Sequence, residues 1–449
     1  MFDRILIANR GEIALRIIRA AREMGIETVA VFSEADRDSL PARMADRSVC
    51  VGPAPSALSY LNMPNIIAAA LNTGAQAIHP GYGFMAESAA FARACADSGL
   101  VFIGPTPEAI ERMGDKAEAR ATAAAAGVPT VPGSDGVIEN YEQALEFAEQ
   151  VGFPVLIKAS AGGGGKGMRV ALDSSELEAN LMAAKTEAAA AFGNDAVYLE
   201  KYLTRPRHVE IQVLADTHGN AVHLYERDCS IQRRHQKLME ESPSPALSDE
   251  LRTQMGEAAI KLVRHVGYVN AGTVEFLLDM DGRFYFMEMN TRVQVEHPVT
   301  EQVTGVDIIS EQLRIAAGLP MKHAHQEDVV LRGHAIEFRI NAEDPAHNFR
   351  PHPGLIDLFN APGGLGVRVD SHVYSGYRVP ATYDSLLGKL IVWAETRQEA
   401  IARAHRALDE FIVTGIPTTI PFHLKVLDNE AFIRGEVYTD FVETEMGIR

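Results

Sequence analysis

The chain has only three cysteines in 449 residues: Cys50, Cys95 and Cys229, widely spaced and odd in number. That argues against a disulfide framework and points to a reducing cytoplasm. No run approaches the roughly twenty consecutive apolar residues of a membrane span. The opening Met1-Phe2-Asp3-Arg4-Ile5-Leu6-Ile7 enters a strand pattern directly, without signal-peptide features. Positive charge is scarce: 42 Lys and Arg against 60 Asp and Glu leave a net charge of −18. Nonspecific binding of nucleic acid or anionic membrane is therefore disfavoured. Any phosphate site must be built from locally placed cations and backbone N–H groups.

Two nucleotide fingerprints are also missing. Asn9-Arg10-Gly11 stands after the first strand where Gly-x-Gly-x-x-Gly would be needed, so a dinucleotide reading is weak. A Walker A loop fails as well. Counting back from Gly165-Lys166 puts Ser160 where the first Gly belongs, and Gly167 where Ser or Thr must stand. Nor is there an internal repeat or a low-complexity tract.

What is there describes an ordinary globular protein, 47% hydrophobic and 23% charged, long enough for about two to four domains. The first hundred residues alternate strand and helix: Ile5–Ala8, helix Glu12–Met24, Thr28–Phe32, helix Met63–Thr73, Gln76–Ile78. Alternation of this kind predicts a parallel sheet with helices on both faces. Arg16, Arg19 and Glu23 share a face of the first helix, which from spacing alone reads as a solvated face. The loop His79-Pro80-Gly81-Tyr82-Gly83-Phe84 follows a strand end, where either a ligand loop or a plain turn fits. A helical region runs from Pro107 to Gly127, and Pro129, Pro132 and Gly133 mark a linker.

Beyond it, Val155–Lys158 leads into Ala159-Ser160-Ala161-Gly162-Gly163-Gly164-Gly165-Lys166-Gly167 and then Met168-Arg169-Val170. Four consecutive glycines cost much backbone entropy, and a loop offering N–H groups to phosphates is the usual reason to tolerate it. A strand–loop–strand lid over a nucleotide follows, with Lys158 at its base and Lys166 at its tip. Strand patterns continue at Val197–Leu203 and Arg207–Leu214, the latter with His208, Glu210 and Gln212 on one side. Glu226 to Lys237 is dense in basic residues for so acidic a chain, either a solvated loop or an oxyanion partner. Cys229 within it reads as a small buried residue. A helix pattern from Val306 to Gly318 precedes strands at Ala335–Asn341, Gly366–Asp370 and Leu387–Val392, and a helix at Gln398–Phe411. This order suggests an α+β C-terminal unit.

The chemistry concentrates at Glu288-Met289-Asn290-Thr291-Arg292-Val293-Gln294-Val295-Glu296-His297-Pro298-Val299-Thr300. Read as extended backbone, Glu288, Asn290, Arg292, Gln294 and Glu296 share one face. Upstream, Gly272–Leu278 and Arg283–Glu288 read as two strands joined through Asp281-Gly282, the preferred centre of a two-residue hairpin turn. That turn pairs Met280 with Arg283 and carries Glu275 opposite Glu288. Directly opposed Cβ atoms lie only ~4.5–5.5 Å apart, where like charges destabilise a sheet. A slipped register or a shared proton would relieve them. The favoured expectation is a hard cation such as Mg²⁺, held by carboxylates and substrate phosphates.

With these residues in view, the chain resembles the biotin carboxylases, the ATP-grasp components of biotin-dependent carboxylases such as acetyl-CoA carboxylase. The likeness runs over nearly the whole length. It rests on Ile7-Ala8-Asn9-Arg10-Gly11-Glu12-Ile13-Ala14, His79-Pro80-Gly81-Tyr82-Gly83, Met113-Gly114-Asp115-Lys116, the four-glycine segment, Arg227-Asp228-Cys229-Ser230 through Lys237, and Glu288 through Pro298. The resemblance implies a multidomain α/β and α+β architecture. A Rossmann-like pre-ATP-grasp domain would span 1–114, and an ATP-grasp region 115–330 with a mobile lid at about 131–203. A C-terminal biotin-carboxylase α+β domain would follow at 331–449.

It also implies roles. Lys116, Lys158 and His208 would meet ATP phosphates and ribose, with Gly164 and Gly165 in the lid. Glu200, Lys201 and Leu203 would meet the adenine, and Gln232, His235 and Leu277 would line the nucleotide site. Glu275, Glu288 and Asn290 would hold magnesium, with manganese as a substitute. Lys237, Arg292, Gln294 and Val295 would position bicarbonate and Glu296 would be the general base. Arg339 and Tyr82 would face biotin. Arg16, Arg19 and Glu23 would belong to a homodimer interface, against the solvated-face reading. The implied reaction passes through carboxyphosphate, which gives up CO₂ to a biotin enolate.

The sequence departs from the family pattern at Lys166, where Arg is as frequent, at Phe338, along Phe349-Arg350-Pro351-His352-Pro353, and at Pro417 and Pro421. No Met-Lys-Met biotinylation site occurs, Met321-Lys322-His323 being the nearest, and the length leaves no room for a carboxyltransferase. The expected partners are therefore a separate biotin carboxyl carrier protein and carboxyltransferase subunits, with biotin a carrier-bound substrate. Two rivals are an ATP-grasp carboxylate–amine ligase and an inactive nucleotide-binding regulator. The set Lys237, Arg292, Glu296 and Arg339 argues against both.

Overall fold

The computed structural model describes residues 1–159, 168–192 and 194–448, which form two compact units. The larger comprises Met1–Val128, Arg207–Phe276 and Glu288–Arg449, and the smaller Pro129–Pro206 with Leu277–Met287.

Among the described residues the larger unit opens with a five-stranded parallel sheet. Its order is Arg47–Gly52, Glu27–Ser33, Arg4–Ile7, Ala77–His79, Val101–Phe102. The helix Gly11–Glu23 presents Ile13, Ala14, Ile17, Ile18 and Ala21 to the core. Strand order reverses between Arg4–Ile7 and Ala77–His79, the point where open parallel sheets leave a crevice. The Tyr82 loop sits there. Asn9 Nδ2 donates to the carbonyls of Pro80 and Tyr82, both at 2.7 Å. Gly81, at φ +64°, is required because a Cβ would lie 2.8 Å from that amide nitrogen. The helical region after Pro107 is two helices, Pro107–Gly114 and Lys116–Ala125. Asp115 breaks them and caps the second, its side chain accepting from Glu118 N at 2.8 Å.

A second sheet of eight strands runs in the order Phe284–Asn290, Asn270–Leu278, Arg207–Ala215, Ala221–Arg233, Gln236–Ser242, His334–Asn341, Leu386–Ala394, Val367–Ser371. Gln236–Ser242 pairs antiparallel with His334–Asn341, so one sheet joins segments nearly a hundred positions apart. One face packs on a core that includes Ile336, Phe338, Leu390, Ala404, Leu408 and Phe432. The atypical Phe338 and Phe349 are absorbed here: their ring centroids lie 5.4 Å from His423 and 5.2 Å from Phe422. Pro421 falls in the first turn of the helix Ile420–Leu427, where a missing N–H costs nothing.

The smaller unit holds a three-stranded antiparallel sheet, Met168–Ala171, Val155–Ala159, Val197–Lys201. Helices Tyr141–Val151 and Ser174–Phe192 cover it over a core of Ala144, Ala148, Val155, Ile157, Leu177, Leu181 and Leu199. The two strands flanking the glycine run do pair, Lys158 opposite Met168. The run itself, with Gly164, Gly165 and Lys166, lies outside the described residues.

Two local expectations are corrected. The turn after Leu278 closes one residue away from the expected position: Asp279 N donates to Arg283 O at 2.8 Å, and Gly282 N to Asp279 O at 3.2 Å. Asp279 also caps the turn by accepting from Asp281 N and Arg283 N, so a three-residue loop replaces the two-residue one. The expected register of Glu275 opposite Glu288 therefore loses its anchor. Nor is Glu288–Thr300 extended throughout. The strand ends at Asn290, and a helix runs from His297 to Thr304 with Pro298 in its first turn. Proline has no N–H for a ladder but suits a helix start.

Candidate active site

The strand Arg207–Ala215 is buried at all nine positions. Its alternation leaves His208, Glu210 and Gln212 on a face of the sheet that is buried and polar. Buried polar groups must find partners, and here they build one network. Arg227, fully buried, faces Glu210 in register. It donates to Glu210 Oε1 at 2.6 Å, Gln212 Oε1 at 2.7 Å, Thr300 Oγ1 at 3.0 Å and Thr273 Oγ1 at 3.1 Å.

Lys237 stands at the centre. Its Nζ donates to Glu210 Oε2 at 2.6 Å, Glu275 Oε1 at 3.0 Å and Glu296 Oε1 at 2.6 Å. It reaches them because of a β-bulge. The register passes from Ile231 opposite Met239 to Gln232 opposite Lys237, leaving an extra residue on the second strand. Leu238 and Met239 consequently both enter the core, and Lys237 and Glu240 share the polar face. Without the bulge a period of two would send them to opposite faces. Arg233 and Gln236 pair at the base of a two-residue turn, Arg234 and His235, both at positive φ. Gln232 is half-buried and His235 exposed.

Glu296 sits at the start of the helix His297–Thr304 with both carboxylate oxygens engaged. Arg339 Nη2 donates to Oε2 at 2.9 Å, opposite the Lys237 contact on Oε1. Burial would push this carboxyl up, but Lys237, Arg339 and Arg227 hold it well below the usual carboxylate range. It is ionised at neutral pH, and the helix N-terminus adds a small favourable term. Burial would lower the Lys237 ammonium, yet Glu210 and Glu296 raise it well above its ordinary value. Glu275 is likewise held low against burial by Lys237 and His208, whose Nε2 lies 2.8 Å from Glu275 Oε2. Glu210 is raised by burial in spite of Lys237 and Arg227.

Asn290 and Gln294 each donate to Glu275 Oε1 at 2.8 Å. Arg292 Nη2 donates to Asn290 Oδ1 at 2.8 Å and Nη1 to Gln294 Oε1 at 3.1 Å. The carbonyl of Val295 accepts from Lys389 Nζ at 2.7 Å. Lys389 also lies 3.1 Å from Glu12 Oε1, which accepts from the Tyr82 hydroxyl. Burial, with Glu12 next to it, pushes the Tyr82 phenol well above its ordinary range.

The structure thus brings together Tyr82, His208, Lys237, Glu275, Asn290, Arg292, Gln294, Val295, Glu296 and Arg339. It leaves Glu288 aside: its partner is Lys116, at 3.5 Å, not Glu275. Glu275 and Asn290 still offer the hard oxygen donors that magnesium favours, and Glu288 lies two positions before Asn290 on the same strand. Lys158, Glu200, Lys201, Leu203 and Leu277 belong to the smaller unit. There Lys158 Nζ donates to Glu200 Oε2, while Lys201 Nζ donates to the carbonyls of Gly152 and Phe153 at 2.8 and 3.0 Å. Leu203 and Leu277 are half-buried.

Sequence reasoning missed several members of the network. Glu210 and Arg227 were in view as pattern residues only. Glu87 accepts from Arg292 Nε at 2.9 Å and from Thr291 N at 3.1 Å, and nothing in its local sequence marks it. Lys389 read as an ordinary strand residue, and Glu240 fell outside every pattern the sequence offered. Arg16 is buried within the chain on Glu301 and Asp307, at 2.9 and 2.6 Å, while Arg19 and Glu23 stay exposed. Cys229 is fully buried with its thiol raised well above the ordinary value by burial, as an unreactive core cysteine should be.

Comparison with known proteins gives this geometry a context. Family models match residues 1–110 (biotin carboxylase, N-terminal domain), 115–324 (carbamoyl-phosphate synthase L chain, ATP binding domain) and 337–444 (biotin carboxylase C-terminal domain). The biotin carboxylase of a Nostoc species is 60% identical over 442 residues, covering 98% of this chain and 99% of its own. Biotin carboxylase 1 of Bacillus subtilis is 59% identical, covering 99% of both chains. Among solved structures, a biotin carboxylase–β,γ-ATP complex from Campylobacter jejuni superposes with a TM-score of 0.88 at 50% identity, covering 98% of each chain. The biotin carboxylase domain dimer of Hydrogenobacter thermophilus 2-oxoglutarate carboxylase, with MgADP and bicarbonate, gives 0.87 at 48% identity, covering 100% of this chain and 98% of that one. This chain belongs to the biotin carboxylase family of ATP-dependent ligases.

Proposed function

We propose that the chain carries out the first half-reaction of acetyl-CoA carboxylase in the cytoplasm, carboxylating biotin on a separate carrier protein at the expense of ATP and bicarbonate. The observation that carries this reading is Glu296, ionised, with Lys237 on one carboxylate oxygen and Arg339 on the other. Bicarbonate held by Lys237, Arg292, Gln294 and the Val295 backbone draws the lysine away from Glu296, so the carboxylate regains basicity as its substrate arrives. Glu296 takes the bicarbonate proton and the freed oxygen attacks the γ-phosphorus. The bond to the ADP oxygen breaks, leaving carboxyphosphate and ADP.

Lys116, Lys158 and His208 offset charge on the transferring phosphoryl group, the main requirement of such a step. Glu200, Lys201 and Leu203 meet the adenine, and Gln232, His235 and Leu277 line the nucleotide site. Carboxyphosphate is hydrolytically fragile, so a closing lid that excludes water is a functional need. Glu275, Glu288 and Asn290 would hold magnesium, which when bound neutralises phosphate charge. Carboxyphosphate splits into CO₂ and phosphate, the phosphate takes the ureido proton of biotin, and the resulting enolate beside Arg339 and Tyr82 attacks CO₂; the guanidinium stays charged at any working pH. The dimeric Hydrogenobacter neighbour supports a homodimer, for which exposed Arg19 and Glu23 are the candidates.

ADP release with bicarbonate, with and without free biotin, tests the reaction. Bicarbonate-dependent release that free biotin increases is expected. Amine-dependent ATP consumption without a biotin response would replace it with a carboxylate–amine ligase. A second destination for the carboxyl group, a keto acid, is favoured by structural neighbours from 2-oxoglutarate and pyruvate carboxylases. Malonyl-CoA formation on adding carrier and acetyl-CoA carboxyltransferase separates the two.

A further inference from the structure

Glu240 and Glu337 lie directly opposite each other on antiparallel strands. Both are buried, Glu240 at 1% exposure and Glu337 at 0%. Opposed Cβ atoms sit ~4.5–5.5 Å apart, where two like charges destabilise a sheet even in contact with water. Their surroundings differ. Glu240 Oε1 accepts from Arg339 Nε at 2.7 Å and lies 2.6 Å from Arg339 Nη2. Its Oε2 has no hydrogen-bond partner among the described residues, and neither oxygen of Glu337 has one. Arg339 is therefore gripped from behind by Glu240 while it reaches Glu296 with Nη2 at 2.9 Å.

We propose that Glu240 is the positioning residue for the Arg339 guanidinium, and that Glu337 is kept as the neutral acid so that the pair presents Arg339 with one negative charge instead of two. Two carboxyls this close and out of water do not both ionise. The proton belongs on the one without a cation, because a buried ionised carboxylate lacking partners costs far more than a neutral one. The ionisable groups around Glu337 are Lys389, Glu240, Arg339 and Glu296. Burial drives Glu337 well above the usual carboxylate range, with Lys389 pulling back and Glu240 pushing further up. Glu240 is pushed up to about 7, mainly by burial, with Arg339 the chief opposing influence.

The consequence rests on Arg339 serving the biotin enolate. With Glu337 neutral, Arg339 answers to Glu240 and Glu296 only, and keeps field to spare for charge developing on biotin. When alkaline pH removes the proton from Glu337, three carboxylates surround one guanidinium and the biotin step weakens. Phosphoryl transfer to bicarbonate does not.

The test compares wild type, Glu337→Gln, Glu240→Gln and Glu240→Asp by ADP release with bicarbonate, with and without free biotin, from neutral to alkaline pH. Glu337→Gln should match wild type at neutral pH within about twofold and lose the alkaline fall of the biotin-dependent rate. Glu240→Gln should raise the KM for biotin and lower biotin-dependent turnover by about tenfold, leaving biotin-independent release within about twofold. Glu240→Asp should recover part of the loss. Infrared difference spectroscopy between wild type and Glu337→Gln, with ¹³C-labelled glutamate, should show a neutral carboxyl band at neutral pH that is present in wild type and missing from the variant. Superimposable alkaline limbs in wild type and Glu337→Gln, or no such band in wild type, would overturn the proposal. A wild type that biotin fails to stimulate sinks the assignment of Arg339, whereas the band alone decides whether Glu337 holds its proton.

Discussion

Replacing Glu296 with Gln removes one charge and almost no volume, so structure and chemistry respond separately. The carboxylate loses charge-assisted contacts with Lys237 at 2.6 Å and Arg339 at 2.9 Å, worth ~1.5–3 kcal/mol each. Against that stands the cost of holding an ionised carboxylate at 0% exposure, several kcal/mol in a protein interior. Both cations keep other partners: Lys237 still meets Glu210 and Glu275, and Arg339 still meets Glu240. Net stability should change by no more than about 2 kcal/mol, measured by urea denaturation with an unchanged slope. Catalysis has no such compensation. Loss of a positioned general base costs ~10²–10⁴ in rate, which is ~2.7–5.4 kcal/mol of barrier. The assay is bicarbonate-dependent ADP release at saturating Mg·ATP. Near-normal release in a folded Glu296→Gln protein would refute the assigned role.

Lys237→Met should cost ~3–5 kcal/mol of stability near neutral pH, because three buried carboxylates lose a shared cation; the deficit should shrink on acidification, and a chemical-denaturation series against pH checks it. Glu337→Gln should be more stable than wild type at neutral and alkaline pH. An acid whose folded-state titration is raised favours the protonated fold, so wild type loses up to ~1.4 kcal/mol per pH unit above the ordinary carboxylate value, while Gln does not. Melting curves at acidic, neutral and alkaline pH should show that gap opening upward from zero. Glu241 behaves oppositely: burial would raise it, but His334 and Arg397 hold it down to about 2 from 4.5. It contributes stability above its unfolded value that is lost as pH falls toward about 2, so Glu241→Gln should cost up to ~3 kcal/mol at neutral pH and nothing below that window. Stripping divalent cations with a chelator should abolish ADP release while leaving nucleotide-free melting unchanged.

Much of this was legible because local physics decided it. Alternating strand and helix patterns located the parallel sheet near Ile5, Thr28 and Ile78, and the pairing of strands around the glycine run needed only their flanking residues. His208, Glu210 and Gln212 were readable as one face of a strand. Reading failed where a single residue changes register or direction. Asp279 turned a two-residue hairpin into a three-residue one, and Pro298 replaced an expected strand with a helix. The bulge at Leu238 and Met239 left no mark in composition, since both are apolar residues at home in any core.

By itself the sequence located many of the strands and helices, and it carried the ordered motifs that identify the family, because those depend on neighbours a few positions apart. Only the tertiary structure decided that Glu296 would be held between Lys237 and Arg339, that Glu87 would take hold of Arg292, and that Glu240 and Glu337 would meet across two strands. The place of Lys237 and the meeting of Glu240 with Glu337 depend on sheet register and a bulge, where a shift of one residue would turn a side chain to the opposite face, whereas Glu87 and Arg292 come together from loops about two hundred positions apart. Long-range register is set by the packing of the whole core, which no local stretch of the chain contains.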